Sequence, residues 1–137
     1  MNVKLALAML SVSLAAGSAV AQVKPEDAIK WRQSGYTFMA WNMARIKANV
    51  DGTFNKEEVI KAANAVQAVA NSGMGSLFVP GSEKGKGWKE TRVKPELFTD
   101  KDGVAKVATA FVQQANEMAT VPPTGDAPAV TVTFRGD

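Results

Sequence analysis

The chain has 137 residues, 46% of them hydrophobic and 21% charged, with a formal net charge of +3. These values fit one small globular domain and exclude a second domain, collagen-like repeats and disorder. There is no cysteine and no histidine, which removes disulfides, thiolate nucleophiles, zinc–thiolate sites and the commonest general base.

What remains for chemistry is carboxylates, lysines, arginines and a single tyrosine, so the sequence reads as a non-enzyme. Residues 1–21 have the form of an export signal: Lys4 gives a basic start, Leu5 to Ala16 is a mostly apolar run, and Ala19-Val20-Ala21 is a small-x-small cleavage site. Cleavage after Ala21 would leave residues 22–137 as one domain in a periplasm. The apolar run is shorter than the ~20 residues that span a bilayer, and no other segment is a candidate, so no membrane attachment is expected after cleavage. The remaining positive charge is too small to indicate nucleic acid.

The first helix is predicted over about 25–50. Pro25 is pre-organised for the first helical position, and Glu26 and Asp27 sit at the positive end of the helix dipole. One stripe runs Ile29, Arg32, Tyr36, Met39, Met43, Ile46, Val50 at alternating spacings of three and four. Arg32 is its only charge, and an arginine there needs an anionic partner or must carry its head to water. Trp31, Phe38 and Trp41 widen the apolar surface, as for a helix packed on two neighbours. Met39 and Met43 lie one turn apart, but methionine at helical spacing is core far more often than a copper site.

Asp51-Gly52-Thr53 makes a turn, and Asn55 with Glu58 forms a capping box opening a second helix over about 56–71. Its face is Val59, Ala63, Val66 and Ala70, with Ala62, Ala65 and Val69 alongside. A loop from about Gly73 to Lys94 follows, with five glycines between 73 and 87, and its length suggests a functional or lid-like segment. Gly85-Lys86-Gly87 within it lacks the strand and the Gly-Lys-Ser/Thr ending of a phosphate loop. A third helix over about 100–120 turns Val104, Val107, Ala108, Phe111, Ala115 and Met118 inward, and Pro122-Pro123 stops it. The remaining segment is proline-rich and then β-branched, so a fourth helix over 126–134 would be weak or partial. The fold class is therefore all-α, an up-and-down four-helix bundle whose last helix is short, degenerate or missing.

The segment Lys24-Pro25-Glu26-Asp27-Ala28-Ile29-Lys30-Trp31-Arg32-Gln33-Ser34 closely resembles cytochrome c′, a class II c-type cytochrome. The likeness continues in Ala44-Arg45-Ile46-Lys47, Phe78-Val79-Pro80-Gly81-Ser82, Lys94-Pro95-Glu96-Leu97-Phe98 and Thr124-Gly125-Asp126. The resemblance implies a periplasmic four-helix bundle, commonly a homodimer, holding haem c for electron transfer to a redox partner or for binding small gases such as NO and CO. It also implies Arg32 beside the haem, pairing with a propionate, and Tyr36 on the distal face of the iron. The family attaches haem through Cys-x-x-Cys-His on its fourth helix, and this sequence has neither residue type. No metal ligand and no covalent haem link are therefore expected on the chain as given. It is read as a fragment or truncated form, the alternative being a haem-free periplasmic bundle that binds a protein partner.

Overall fold

The computed structural model describes residues 22–120. They form three α-helices, α1 (Pro25–Asp51), α2 (Lys56–Ala70) and α3 (Lys101–Thr120), with 3-10 turns at Met74–Leu77 and Pro95–Phe98. The three expected helices are present, each within a residue of its predicted bounds. The signal segment and the weak fourth helix lie outside the described residues. No helix among the described residues is long and apolar enough to cross a membrane.

Each helix starts where local chemistry requires it. Pro25 occupies the first turn of α1 with Glu26 and Asp27 beside it. At α2 the side chain of Asn55 accepts from the Glu58 N–H at 3.2 Å. The reciprocal half of the expected capping box is absent: the Asn55 N–H donates to Asn49 Oδ1 at 2.8 Å. The Glu58 carboxylate is instead held by Arg45 of α1, 2.5 Å from its guanidinium. An ion pair to a neighbouring helix has taken the place of a weaker local bond. At α3, Asp100 Oδ1 accepts from the Gly103 N–H at 2.9 Å.

The core lies where α2 packs between α1 and α3. Ile46 of α1, fully buried, meets Val59, Ala62 and Ala63 of α2, with Phe54 and Met118 against them. The small α2 residues let the two backbones approach, and burying a side chain such as Ile46 contributes about 1.5–3 kcal/mol. A second cluster joins Met39, Val66 and Ala115, one from each helix, with Met43 and Met74 beside it. Met39 and Met43 are thus core residues. Asn42, completely buried, is satisfied within α1: its amide donates to Phe38 O at 2.9 Å and its carbonyl accepts from Arg45 at 2.9 Å.

Two sequence expectations are corrected. Among the described residues, Trp31, Phe38 and Trp41 meet no second helix; each is about half exposed. Phe38 and Trp41 pack on one another with ring centroids 5.6 Å apart, and the Arg45 guanidinium lies 4.7 Å over the Trp41 ring. Among the described residues, the inner face of α3 is covered at only one end. Ala115 is buried, whereas Val107 is 70% and Phe111 40% exposed.

The Arg45 guanidinium holds the Glu58 carboxyl below the usual carboxylate range, first by hydrogen bonding and then by charge. Because the folded value is the depressed one, this contribution to stability is present above the ordinary carboxylate pKa and is lost as pH falls through the lowered value. Urea unfolding of Glu58→Gln and the parent at a series of pH values should show a gap that is open at neutral pH and closes below about pH 5 toward stronger acid.

Candidate cofactor cleft

The loop after α2 is fastened to α1 by three consecutive residues. Arg32, only 2% exposed, donates to Ser82 Oγ at 2.7 Å, Ser82 O at 2.5 Å, Thr91 Oγ1 at 2.8 Å and Leu77 O at 3.2 Å. Gln33 donates from Nε2 to Lys89 O and accepts from the Trp88 and Lys89 N–H groups. Ser34 Oγ accepts from Trp88 Nε1 at 2.8 Å. Gly87 makes this docking possible, since a Cβ there would sit 2.7 Å from Ile29 Cγ2 and 2.8 Å from the Lys30 backbone nitrogen. The expected lid is therefore a strap pinned along the first turns of α1.

Arg32 meets neither condition set for it in the sequence. Its guanidinium is not carried to water, and no carboxylate of the described residues pairs with it; carbonyl and hydroxyl oxygens of the strap hold it instead. Burial pulls its pKa down from the ordinary arginine value, and the nearby Tyr36 partly offsets this. Arginine remains charged even so, because its intrinsic basicity is far above neutral. The guanidinium also stacks 4.9 Å from the centre of the Phe78 ring.

Phe78 opens onto a cleft of about 990 Å³. Tyr36 of α1 lies at one wall with Ala70 and Met74, and Val104, Val107, Ala108, Phe111 and Val112 of α3 form the other. Leu97 and Phe98 of the second 3-10 turn line it too, with Lys94, Glu96 and Asp100 as its charged members. The turn into this region depends on Gly73, whose φ of 81° is in the left-handed region. Met74 then passes under α1 at Gly35, where a Cβ would meet its Cε at 2.9 Å. The structure thus places Tyr36 on the cleft, and Arg32 behind the wall with Phe78 between. Leu97, Phe98 and Lys94 entered the sequence reading only as a family segment or packing residues. Their shared cavity depends on how the 3-10 turn folds against α3, which no periodicity reports.

An apolar, aromatic-sided cleft of this size between bundle helices is the setting in which helical proteins hold a flat cofactor. That is the class the fold and cleft define. The Cytochrome C′ family model matches residues 27–136, and the chain belongs to the cytochrome c′ family of haem proteins. It is 58% identical over 112 residues to cytochrome c′ of Rhodocyclus tenuis, covering 81% of this chain and 84% of that protein. With cytochrome c′ of Allochromatium vinosum the identity is 46% over 129 residues, 94% of this chain and 84% of that protein. Among solved structures, cytochrome c′ of Thermochromatium tepidum superposes with a TM-score of 0.77 at 49% identity, covering 84% of this chain and 88% of that one.

The residues present fit haem in part. The walls match the apolar faces of a tetrapyrrole, and Lys94 matches its carboxylate edge. With no cysteine or histidine in the chain, thioether attachment and histidine ligation have no residues to form them, so haem c cannot be covalently attached to this chain.

Replacing Arg32 by leucine would leave the Ser82 and Leu77 carbonyls and two hydroxyls without their shared donor. The expected loss is about 2–4 kcal/mol in urea unfolding. Proteolytic nicking of the 78–91 strap should speed up by more than global unfolding accounts for.

Proposed function

We propose that the cleft is a haem site and that the protein works in the periplasm as a cytochrome c′-type haem protein, in electron transfer or in binding small gases such as NO and CO. The observation that carries this reading is the cleft itself, about 990 Å³ with Tyr36, Phe78, Phe98 and Phe111 around it. A globular protein leaves so much apolar surface open only where something else covers it. Iron would supply the redox change and the gas-binding position.

In this reading the chain's own residues exclude water and orient the group. Val104, Val107 and Phe111 on one wall and Tyr36 and Met74 on the other would hold the group's apolar body, and Lys94 could pair with a propionate. The strap engages the four Nη donors of Arg32, so in this reading it acts chiefly by positioning Phe78. The export-signal pattern of residues 1–21, with its small-x-small site at Ala19-Val20-Ala21, supports export to the periplasm. Non-enzymatic action is supported by the membership of the family and by a cleft whose charged groups lie at its edge.

We further propose that the protein forms a homodimer. Support comes from a solved relative, 50% identical with a TM-score of 0.78, that is described as a cytochrome c′ with an unusual ligand-controlled dimer dissociation. Equilibrium sedimentation of the purified chain should then give twice the monomer mass, and a concentration-independent monomer would overturn the dimer.

The haem reading is tested by titrating the purified chain with ferric haem. A saturable Soret shift at one haem per chain is expected, with all pigment removed by acid–acetone extraction because nothing links it covalently. The absence of a saturable shift would overturn the reading.

A further inference from the structure

A second concave site lies on α1 and the strap and shares no lining residue with the cofactor cleft. It is an open trough of about 620 Å³ walled by Phe38, Trp41 and Trp88, with Gln33, Ser34 and Lys89 at one end. On α1 the residues Lys30, Ser34, Phe38, Trp41 and Arg45 follow at spacings of four, four, three and four, so they form one ridge. From Lys30 to Arg45 the ridge runs about 22 Å, the length of roughly six or seven extended residues.

Trp88 is 69% exposed, yet it is fastened twice to α1. Its indole N–H donates to Ser34 Oγ at 2.8 Å and its backbone N–H to Gln33 Oε1 at 2.9 Å. A tryptophan fixed in advance loses little freedom when a partner covers it, which makes such residues anchors of interfaces. Lys30 Nζ lies 5.8 Å from the Trp88 ring centre.

The charge around the trough has one sign. No carboxylate lines it, and Lys30 and Lys89 form no ion pair among the described residues. Residues 83–94 carry five cations and two carboxylates, Glu83 and Glu90, neither of which lines the trough. At the far end the charge of Arg45 is already met by Glu58. Unmet positive charge therefore gathers at the Lys30 and Lys89 end, one to two helical turns from Phe38 and Trp41. The lysines repel a cationic ligand, and a second copy of the chain would bring the same lysines and no lining carboxylate. A lipid surface is entered by aromatic rings whose polar edge faces the headgroups, whereas the Trp88 indole N–H is tied back to the helix.

We propose that this trough docks an extended segment of a partner protein, with carboxylates at one end and aromatic or large aliphatic side chains two or three residues further on. The carboxylates meet Lys30 and Lys89, and the apolar side chains lie against Trp88, Phe38 and Trp41. Nothing in this depends on haem.

The test uses the full chain labelled with 15N and reads its three tryptophan indole N–H signals, assigned by single Trp→Phe variants. Trp41 and Trp88 line the trough and Trp31 does not, so the third signal is an internal control. The probe is the peptide acetyl-Asp-Glu-Asp-Leu-Phe-Phe-amide. Saturable shifts of the Trp41 and Trp88 signals are expected, with Trp31 nearly still. Replacing the acids of the peptide by Asn and Gln, or its last three residues by alanine, should weaken binding severalfold, as should about 0.5 M sodium chloride. The double variant Lys30→Gln, Lys89→Gln should bind roughly fivefold more weakly while melting at the parent temperature, because both side chains leave the core untouched. Equal binding of the acidic and amide peptides, or no saturable shift, overturns the proposal. So do Trp41 and Trp88 signals that move only with phosphatidylglycerol vesicles, which assigns the face to a membrane, or that move on simple dilution of the chain, which assigns it to a second copy.

Discussion

The structure turns on one buried cation. Arg32 sits on the inner stripe of α1, where a charge without hydrogen-bond partners would cost several kcal/mol. Four acceptors from residues 77–91 satisfy it. The same bonds fix a segment that has no regular structure of its own beyond a bridge between Lys86 and Glu90. Gln33 and Ser34 extend the attachment along the helix, so the burial of a single side chain is converted into the ordering of a loop of more than a dozen residues. The chain entropy of such a loop opposes this, at roughly 1–2 kcal/mol per fixed residue. Charge-assisted bonds from a guanidinium are among the few contacts strong enough to offset it locally.

That ordering has a consequence for the cleft. Phe78 is held between the guanidinium behind it and open space in front. The strap also delivers the chain to Lys94, where Pro95–Phe98 make a tight turn before α3 begins. The second contribution to the cleft is asymmetry of the core. Alanines at 62, 63 and 115 draw the helices together around Ile46 and Met39, while toward the start of α3 Val107 and Phe111 remain exposed. The cleft is thus the space left by a bundle packed tightly at one end only.

Much of this was legible in the sequence, and what was not has identifiable physical causes. Helix limits followed from proline, acidic first turns and a three-four apolar repeat, all of which act within a few residues. The stripe on α1 was correct at Ile29, Met39 and Ile46 and misleading at Tyr36, because periodicity assigns a face without saying whether that face meets protein or open space. Val107 and Phe111 were legible as apolar positions on one face of α3, and only the packing shows that this face is the cleft wall. The partners of Arg32 lie 45 to 59 residues away in sequence, and serine, threonine and backbone oxygens in a loop carry no signal of such a role. Glu58 was read as a local cap for the same reason: its tertiary partner Arg45 outcompeted the nearer backbone.

Family membership and the missing attachment residues are reconciled by where the cleft is encoded. Among the described residues, those that line it fall between Tyr36 and Val112, on three helices and the segments that join them, and none of these is a cysteine or histidine. In the proposed haem site, building the cavity and attaching haem covalently would therefore be separate tasks, and the described residues carry the first. A bundle can keep the first without the second, because the core around Ile46 and the Arg32 cage stabilise the helices without reference to a cofactor. What changes is the nature of any binding. Without thioether links, haem would be held by burial of its faces, by pairing at Lys94 and by whatever ligand the cleft itself supplies. Affinity then depends on cleft geometry, and so on the strap and the one guanidinium that holds it.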